Sequence, residues 1–351
     1  MPTSSLTAIV VAYNNRALTG RCLASLAAGW PRDWEVVLAD NRSTDDTAEA
    51  AEAHRHEIHR LRVLRRDGNV VFSEVANAAA RVASGDHLVF LNNDIEIGAA
   101  AVGTLVEALR RQPGAGVAGA KLVYPGYARV QHAGVRPMLW GLVSNYGAGA
   151  SPDDARVNVA GDVFAVTGAC VAVERALFEA VGGFDTGFRW GYEDIDLCLR
   201  ARAAGRRVVY EPSAVAVHAE SQTLGSAHYD RTRAANHQRY RARWDACLLP
   251  LELRYLAGLR SRGLHRLGVF GAGAAGRALA ERLTDERFDV VTFVESQPRA
   301  ASCDGRPIVA LGEVAGARLD ALMAATQFYF ELEAVVAAAV PGTPVLFPVL
   351  D

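Results

Sequence analysis

The first hundred residues alternate between short apolar runs and amphipathic stretches. Strands are predicted at 7–11, 35–39, 62–64 and 88–91, and helices at 18–26, 44–54 and 73–83. Strands that alternate with helices imply right-handed crossovers and a largely parallel central sheet. Ligands of such sheets gather at the carboxyl ends of the strands, so the sequence predicts an α/β fold with a polar site at that edge.

The pattern weakens from Gly114 to Asp162, where glycine and proline interrupt it. Such sequence predicts short strands and mobile loops, including a lid that faces the substrate. Regular elements return as a strand at 164–173, helices at 175–180 and 194–204, and a strand that ends near His218. An arginine-rich helical pattern over 231–261 then closes the first predicted domain, 1–261.

A new pattern begins at Leu264, with an apolar strand, a glycine turn, a helix and a second strand that ends in Glu295. Gly271, Gly273 and Gly276 open that helix, which is the context of a dinucleotide-binding fingerprint. The segment 262–351 is shorter than a full dinucleotide fold, and we predict a small Rossmann-like domain. A structural or partner-binding role is at least as well supported as NAD(P) binding, which the sequence does not favour.

Composition narrows the functional classes. The chain has 351 residues, of which half are apolar and 22% are charged, and this length and composition predict two globular domains. Its net charge of −2 predicts no general attraction to nucleic acid. The arginines between Arg231 and Arg243 are typical of a solvated helix face, with contact to acidic lipid as the alternative. The five cysteines follow no metal or disulfide spacing, and no apolar run is long enough to span a bilayer. We expect a cytoplasmic protein, with peripheral contact at the inner face of the membrane as an option.

Three separate polar elements carry candidate chemistry. Asp94 follows the apolar run 87–91, where a hard oxygen ligand can hold Mg²⁺ or Mn²⁺, although a lone aspartate there is more often a turn residue. Glu193 and Asp194 begin a predicted helix, whose amino terminus favours ionised carboxylates, and Asp196 is interpreted as structural. His218 ends an apolar strand, where a metal ligand and an ordinary hydrogen-bonded histidine are the alternatives.

In their order along the chain, these elements resemble the family 2 glycosyltransferases of the GT-A fold, in particular the bacterial branch that includes rhamnosyltransferases. The resemblance runs from Ala8 to about Thr223. Its pieces are VVAYN at 10–14, ADNRSTDDT at 39–47, Asn77, LNND at 91–94, TGAC at 167–170, GGFD at 182–185, YEDID at 192–196 and His218.

The resemblance implies a role for each matching residue. Asp194 is the expected catalytic base, with Glu193, Trp190 and Tyr192 on the acceptor side. Asp94 and His218 are the expected metal ligands, for Mn²⁺ or Mg²⁺. The expected donor-binding residues are Ala12, Tyr13, Asn14, Asp40, Asn41, Asn69, Asn77, Asn92, Asn93 and Gly168.

The implied reaction is an inverting transfer from a dTDP-, UDP- or GDP-linked sugar to an acceptor hydroxyl, for which a lipid-linked glycan is one option. Asn92 replaces the first acid of the family's DxD motif, and Val71 stands where relatives have glycine, which restricts the backbone near the donor. One alternative is a nucleotide-sugar oxidoreductase or epimerase that uses Gly271, Gly273, Gly276 and Glu295. Another is an inactive scaffold. The sequence leaves the sugar, the acceptor and the oligomeric state open.

Overall fold

The computed structural model describes residues 5–68, 70–219, 226–324, 335–336, 339 and 343–350. It separates into two compact units, one of 1–135 with 145–243 and one of 136–144 with 244–351. The sequence placed a single boundary near residue 262. By compactness, the division instead falls inside a long helix, between Arg243 and Trp244, and a segment from the middle of the chain joins the second unit.

The first unit is built on a large mixed sheet. Its strands in chain order are β1 Leu6–Ala12, β2 Glu35–Asp40, β3 Leu61–Arg65, β4 His87–Asn92, β5 Ile95–Glu96, β6 Ala115–Val123, β7 Val130–His132, β10 Gly161–Asp162, β11 Cys170–Glu174 and β12 Arg207–His218, and the intervening strands β8 Val135–Pro137 and β9 Val143–Asn145 lie outside this sheet. The spatial order is β10-β12-β6-β11-β4-β1-β2-β3, with β5 paired to β12 and β7 to β6, while β8 and β9 form a separate hairpin.

The pairs β1–β2, β1–β4, β2–β3 and β6–β12 are parallel, whereas β11 runs antiparallel between β4 and β6. The central sheet is thus mostly parallel, as predicted. Helices cover it at α1 Arg16–Ala27, α2 Thr47–Glu52, α3 Phe72–Val82, α4 Ala99–Arg111, α5 Arg175–Ala180 and α6 Glu193–Ala203, and α7 runs over Ser226–Ser261. No helix in the described part of the chain is both long and apolar enough to cross a bilayer.

The prediction of loops and short strands after Gly114 is wrong for β6, a nine-residue strand that is buried throughout. Its glycines are sites of close packing: a Cβ on Gly116 would lie 2.4 Å from Leu177, and one on Gly119 would lie 2.3 Å from Val166. The strand predicted at 164–173 is shorter and begins only at Cys170.

The second unit contains β13 Arg266–Phe270, α8 Ala274–Asp285, β14 Asp289–Glu295, β15 Ser302–Cys303, β16 Arg306–Ala310, β17 Ala321–Ala324 and β18 Val345–Leu346. Its sheet has the order β15-β16-β14-β13-β17-β18 and is parallel except for β15. The tip of the β8–β9 hairpin belongs to this unit: the Leu139 N–H donates to Pro348 O at 2.9 Å, and the Gly141 N–H donates to Glu252 Oε1 at 2.9 Å.

Candidate active site at the carboxyl edge of the large sheet

The ends of β1 and β2 lie side by side and carry two of the recognised motifs. Ala12 is in register with Asp40, and the Asn41 N–H donates to Ala12 O at 2.8 Å. Asn14 has left-handed backbone (φ 53°), and its Oδ1 accepts from the Thr44 N–H at 2.8 Å. The two motifs therefore fix each other's backbone before any ligand binds.

Most asparagines predicted to bind the donor have partners inside the protein. Asn41 exchanges two hydrogen bonds with the backbone of Val70, and Asn93 donates to Asn14 O and to Thr19 Oγ1. Asn77 bridges α3 to the backbone of Phe184 through both ends of its amide. These side chains shape the loops around the site. The placement of Asn69 lies outside the described residues.

Asp94 and His218 meet where β4 gives way to β5 and β12 ends. Strand β5 pairs with β12 so that Ile95 is opposite His218, and the Ala219 N–H donates to Asp94 O at 3.1 Å. This pairing brings His218 Nε2 to 3.2 Å from Asp94 Oδ1, with both side chains largely buried. The sequence separation of the two residues is large, yet two strand ends place them in direct contact.

Gln131 on β7 determines which nitrogen of the His218 ring carries a proton. Its Oε1 lies 2.6 Å from His218 Nδ1, and an amide oxygen can only accept, so Nδ1 carries the proton. In the neutral imidazole, Nε2 is then an acceptor that faces a carboxylate oxygen, also an acceptor. A second proton on the ring or a cation between the two atoms resolves this arrangement. No sequence pattern pointed to Gln131, which lies 87 positions from His218.

The donor set fits a metal that takes mixed oxygen and nitrogen ligands, such as Mn²⁺. Asp94 and His218 form a pair rather than a closed cage, because no three His, Cys, Asp or Glu side chains gather as a metal cluster among the described residues. An open pair of this kind leaves coordination positions for oxygens of a ligand. Asn92 adds no charge to it, and its N–H donates to Ala169 O at 3.0 Å.

Asp194 lies in the first turn of α6 and is held by donors from two segments. Its Oδ2 accepts from the Gly168 N–H and its Oδ1 from the Ile195 N–H, each at 2.8 Å, and the Thr167 side chain adds a further hydrogen bond. A Cβ on Gly168 would lie 3.2 Å from Asp194 Cβ, so glycine permits this close approach. Burial raises the pKa of Asp194, while these donors oppose the shift.

Glu193, the adjacent carboxyl group, differs from Asp194 in its surroundings. Its Oε2 is buried and has no hydrogen-bond partner within the described ranges. Burial, with the neighbouring Asp194 carboxylate as the second cause, raises the pKa of Glu193 to about 8. The helix start favours ionised carboxylates, but burial outweighs it at Glu193, which keeps its proton to a higher pH than a free glutamate and can then donate a hydrogen bond.

The backbone segment from Gly168 to Cys170 connects the strand that leads to Asp94 with the first turn of α6, which carries Glu193 and Asp194. Gly168 donates to Asp194, Ala169 accepts from Asn92, and Cys170 begins β11 opposite Leu91 of β4. His132 supports this segment: Asn145 Oδ1 accepts from its Nδ1 (2.9 Å), and its Nε2 accepts from the Thr167 N–H (3.4 Å). Burial lowers the pKa of His132 to about 4, so it stays neutral in this role.

The predicted acceptor aromatics differ in exposure. Trp190 is half-buried at the surface of the site. The Tyr192 ring is buried and lies 4.9 Å from the ring of Tyr240 on α7, so it contributes to packing. Asp196 is fully buried and pairs with Arg200 and Arg243, each at 2.8 Å. The arginine-rich helix therefore does more than present a solvated face.

The glycine loop of the second unit is formed as its sequence predicts. Gly271 has φ 92°, and a Cβ on Gly276 would lie 1.7 Å from Gly271 O, so only glycine allows α8 to approach β13. Gly273 precedes the helix, and Glu295 Oε1 accepts from the Ala272 N–H at 3.3 Å.

A model described as glycosyl transferase family 2 matches residues 7–182, half of the chain, and a second model, described as the N-terminal domain of galactosyltransferase, matches 157–219. The chain belongs to glycosyl transferase family 2. The resemblance seen in the sequence is thereby confirmed, and residues 92–94 and 167–170 lie inside the first match.

Relatives of this family 2 protein include bacterial proteins named for O-antigen biosynthesis and for rhamnosyl transfer. It is 33% identical over 222 residues to the O-antigen biosynthesis protein RfbC of Myxococcus xanthus, covering 61% of this chain and 17% of RfbC. It is 29% identical over 275 residues to an N-acetylglucosaminyl-diphospho-decaprenol L-rhamnosyltransferase of Mycobacterium tuberculosis, covering 70% of this chain and 88% of that one. An uncharacterized protein of Sinorhizobium fredii, y4gI, is 35% identical over 209 residues, which are 58% of this chain and 23% of y4gI. The chain thus spans less than a quarter of RfbC and of y4gI.

Among solved structures, the mannosyltransferase PcManGT of Pyrobaculum calidifontis, in complex with GDP-Man and Mn²⁺, has a TM-score of 0.51 at 21% identity. The superposition covers 80% of this chain and 79% of PcManGT. The similarity establishes the GT-A fold of this family 2 protein.

Proposed function

We propose that this protein transfers a sugar from a nucleoside-diphosphate sugar to an acceptor hydroxyl, with inversion at the anomeric carbon and with a divalent metal. The observation that supports the proposal is the Gly168–Cys170 segment, whose backbone donates to Asp194 and accepts from Asn92, two residues before the Asp94 that contacts His218. Membership of family 2 supports the reaction class.

In this proposal the donor diphosphate lies against Asp94 and His218, beside the loops that carry Asn14 and Asp40. A metal ion held by Asp94 and His218 would supply positive charge to the departing diphosphate, and PcManGT was solved with Mn²⁺. Asp40 is buried at the end of β2 and accepts from the Ser43 N–H, and we assign this carboxylate to the base or ribose of the donor. Asn41 and Asn93 hold the neighbouring loops.

Asp194 acts as the general base. It takes the proton from the acceptor hydroxyl as that oxygen forms the new bond to the anomeric carbon and the bond to the diphosphate oxygen breaks. One base suffices for such a displacement, which supports inversion. Protonated Glu193 donates a hydrogen bond to the acceptor, and the half-buried Trp190 offers an apolar surface for a sugar ring. We assign no acceptor contact to the buried Tyr192.

The nature of the relatives guides the substrate proposal. The mycobacterial relative is named for transfer of L-rhamnose to a lipid-linked N-acetylglucosamine diphosphate. We propose a dTDP-, UDP- or GDP-linked sugar as donor and a lipid-linked glycan among the acceptors, reached from the cytoplasmic face of the membrane.

The decisive experiment measures release of nucleoside diphosphate from a panel of dTDP-, UDP- and GDP-sugars, with Mn²⁺ and with polyprenyl-diphosphate sugars as acceptors. We expect release with one class of donor, dependent on acceptor and abolished by EDTA. Asp194→Asn serves as the background control. Silence across the panel in the presence of acceptors would favour the inactive scaffold.

For residues 262–351 we propose a Rossmann-like unit with a structural or partner-binding role. Glu295 already engages the backbone of the glycine loop, which supports this role over NAD(P) binding. Calorimetry of the full chain with NAD(H) and NADP(H) tests it, and heat of specific binding would contradict it.

A further inference from the structure

The three residues before Glu193 form a turn with unusual backbone. Trp190, Gly191 and Tyr192 all have left-handed conformation, with φ values of 66°, 98° and 73°. This conformation is unfavourable for residues that carry a Cβ, and two of the three are bulky aromatics. Such a turn persists only where surrounding contacts hold it.

Asn236 on α7 supplies those contacts. Its amide nitrogen donates to the carbonyl oxygens of Arg189 at 2.9 Å, Trp190 at 3.1 Å and Gly191 at 2.9 Å. Its Oδ1 accepts from the Arg189 N–H at 3.1 Å. The side chain is 3% exposed, so these bonds are shielded from water. The two protons of this NH2 group are shared among the three carbonyl oxygens, so one side chain holds the backbone from Arg189 to Gly191.

Neighbouring residues of α7 hold both flanks of the same turn. Tyr240, one helical turn after Asn236, packs against Tyr192 with the two rings tilted by 38°. Arg239 pairs with Asp185 at 3.0 Å, and Arg243 pairs with Asp185 and with Asp196 at 2.8 Å each. Asp185 precedes the turn and Asp196 follows it. This face of α7 therefore grips the segment on either side of Glu193 and Asp194.

We propose that Asn236 is a positioning residue of the acceptor side, and that it fixes the turn that aims Trp190 and delivers Asp194 into the site. The inference rests on the proposed function, because it concerns the acceptor of that reaction. Asn236 lies beyond the residues that either family model matches, 7–182 and 157–219.

The kinetic test uses the full chain with Asn236→Ala. Loss of the amide frees the turn, and a small misplacement of a catalytic group costs up to about 100-fold in rate. We expect kcat/KM for the acceptor to fall by about 10- to 100-fold, with the KM of the donor and the affinity for Mn²⁺ unchanged. Gln238→Ala is the matched control, because Gln238 is an exposed polar residue of the same helix.

The variant Asn236→Asp separates the two ends of the amide. Aspartate keeps an oxygen for the Arg189 N–H but places a second oxygen against three carbonyls. We expect it to lose at least as much activity as Asn236→Ala. Wild-type acceptor kinetics in either variant would overturn the proposal, and so would a loss that only follows the unfolded fraction measured by circular dichroism.

Hydrogen–deuterium exchange over residues 185–195 gives a readout that needs no activity. We expect faster exchange in Asn236→Ala than in the wild type or Gln238→Ala. Unchanged exchange would overturn the proposal. If the wild type transfers no sugar, the proposed function fails, and the exchange experiment still decides whether Asn236 holds the turn.

Discussion

The candidate active site contains two pairs of polar side chains, Asp94 with His218 and Glu193 with Asp194, which differ in their hydrogen-bond partners. Asp94 and His218 are two acceptors in contact, joined by the ends of rigid strands and oriented by Gln131. Glu193 and Asp194 are two acids at a helix start; both oxygens of Asp194 accept backbone N–H groups, whereas Oε2 of Glu193 is buried without a partner among the described residues. The first pair offers two acceptors to a cation, whereas burial raises the pKa of both acids in the second pair and favours a proton there. The hydrogen bonds around a carboxylate therefore decide its role more than its residue type does.

The largest test of this comparison is Asp194→Asn against Glu193→Gln. Removal of a general base costs about 10²- to 10⁴-fold in rate, so we expect Asp194→Asn to lose transfer to that extent while the Kd of the donor stays near its wild-type value. Glutamine resembles the protonated form of Glu193, so Glu193→Gln should lose less than about tenfold, on the order of one hydrogen bond. Equal losses in steady-state assays would break the distinction between the two acids.

The next largest effect is expected from Asp94→Asn, which removes the carboxylate of the Asp94–His218 pair. Binding of Mn²⁺, measured by electron paramagnetic resonance with the donor nucleotide present, should weaken by about 100-fold. Glu96→Gln is the control, since Glu96 is a nearby surface residue paired with Arg21 at 3.0 Å. Unchanged Mn²⁺ affinity would mean that the pair is an ion pair with protonated His218.

A smaller effect is expected from Gln131→Leu, which removes the acceptor that sets the His218 tautomer. Affinity for Mn²⁺ should fall by about tenfold, as is usual when a partner of a metal-binding histidine is lost. Gln131→Glu retains an accepting oxygen and should retain the affinity. If both variants match the wild type in the resonance titration, Gln131 does not orient His218.

The smallest effect concerns the pH dependence of stability. The pKa of Glu193 is raised from 4.5 to about 8 in the folded protein, so the folded state keeps a proton that the unfolded chain releases. Stability from this group is fully present below about pH 4.5 and is lost as the pH rises toward 8. Glu193→Gln should therefore melt a few degrees above the wild type near pH 8.5, and the difference should vanish near pH 4.5. A constant difference in thermal melts across this range would contradict the assignment.

The sequence predicted those parts of the site that depend on the local order of apolar and polar residues. Apolar runs followed by polar residues predict the strand ends at Ala12, Asp40 and Asn92 and the start of α6. The failure at β6 has a physical cause, because Gly116 and Gly119 resemble chain breakers in sequence but serve close packing in the sheet.

The supporting residues could not be predicted, because their partners are distant along the chain. Gln131 contacts a residue 87 positions away, His132 one 35 positions away, and Asn236 a turn 45 to 47 positions away. No periodicity or motif connects such pairs. The raised pKa of Glu193 was missed for the same reason, since burial by other segments outweighs the local helix terminus.

Arg243 forms ion pairs with both Asp185 and Asp196, and these pairs set how far a functional fragment must extend. The two family models end at residues 182 and 219, but a chain cut at 219 would lack Arg243, which pairs with the fully buried carboxylate of Asp196, and Asn236, which holds the turn at 190–192. A truncation series should therefore lose cooperative unfolding at end points before Arg243. We therefore expect the shortest fragment that folds as a glycosyltransferase to extend about two dozen residues past the end of the second model match.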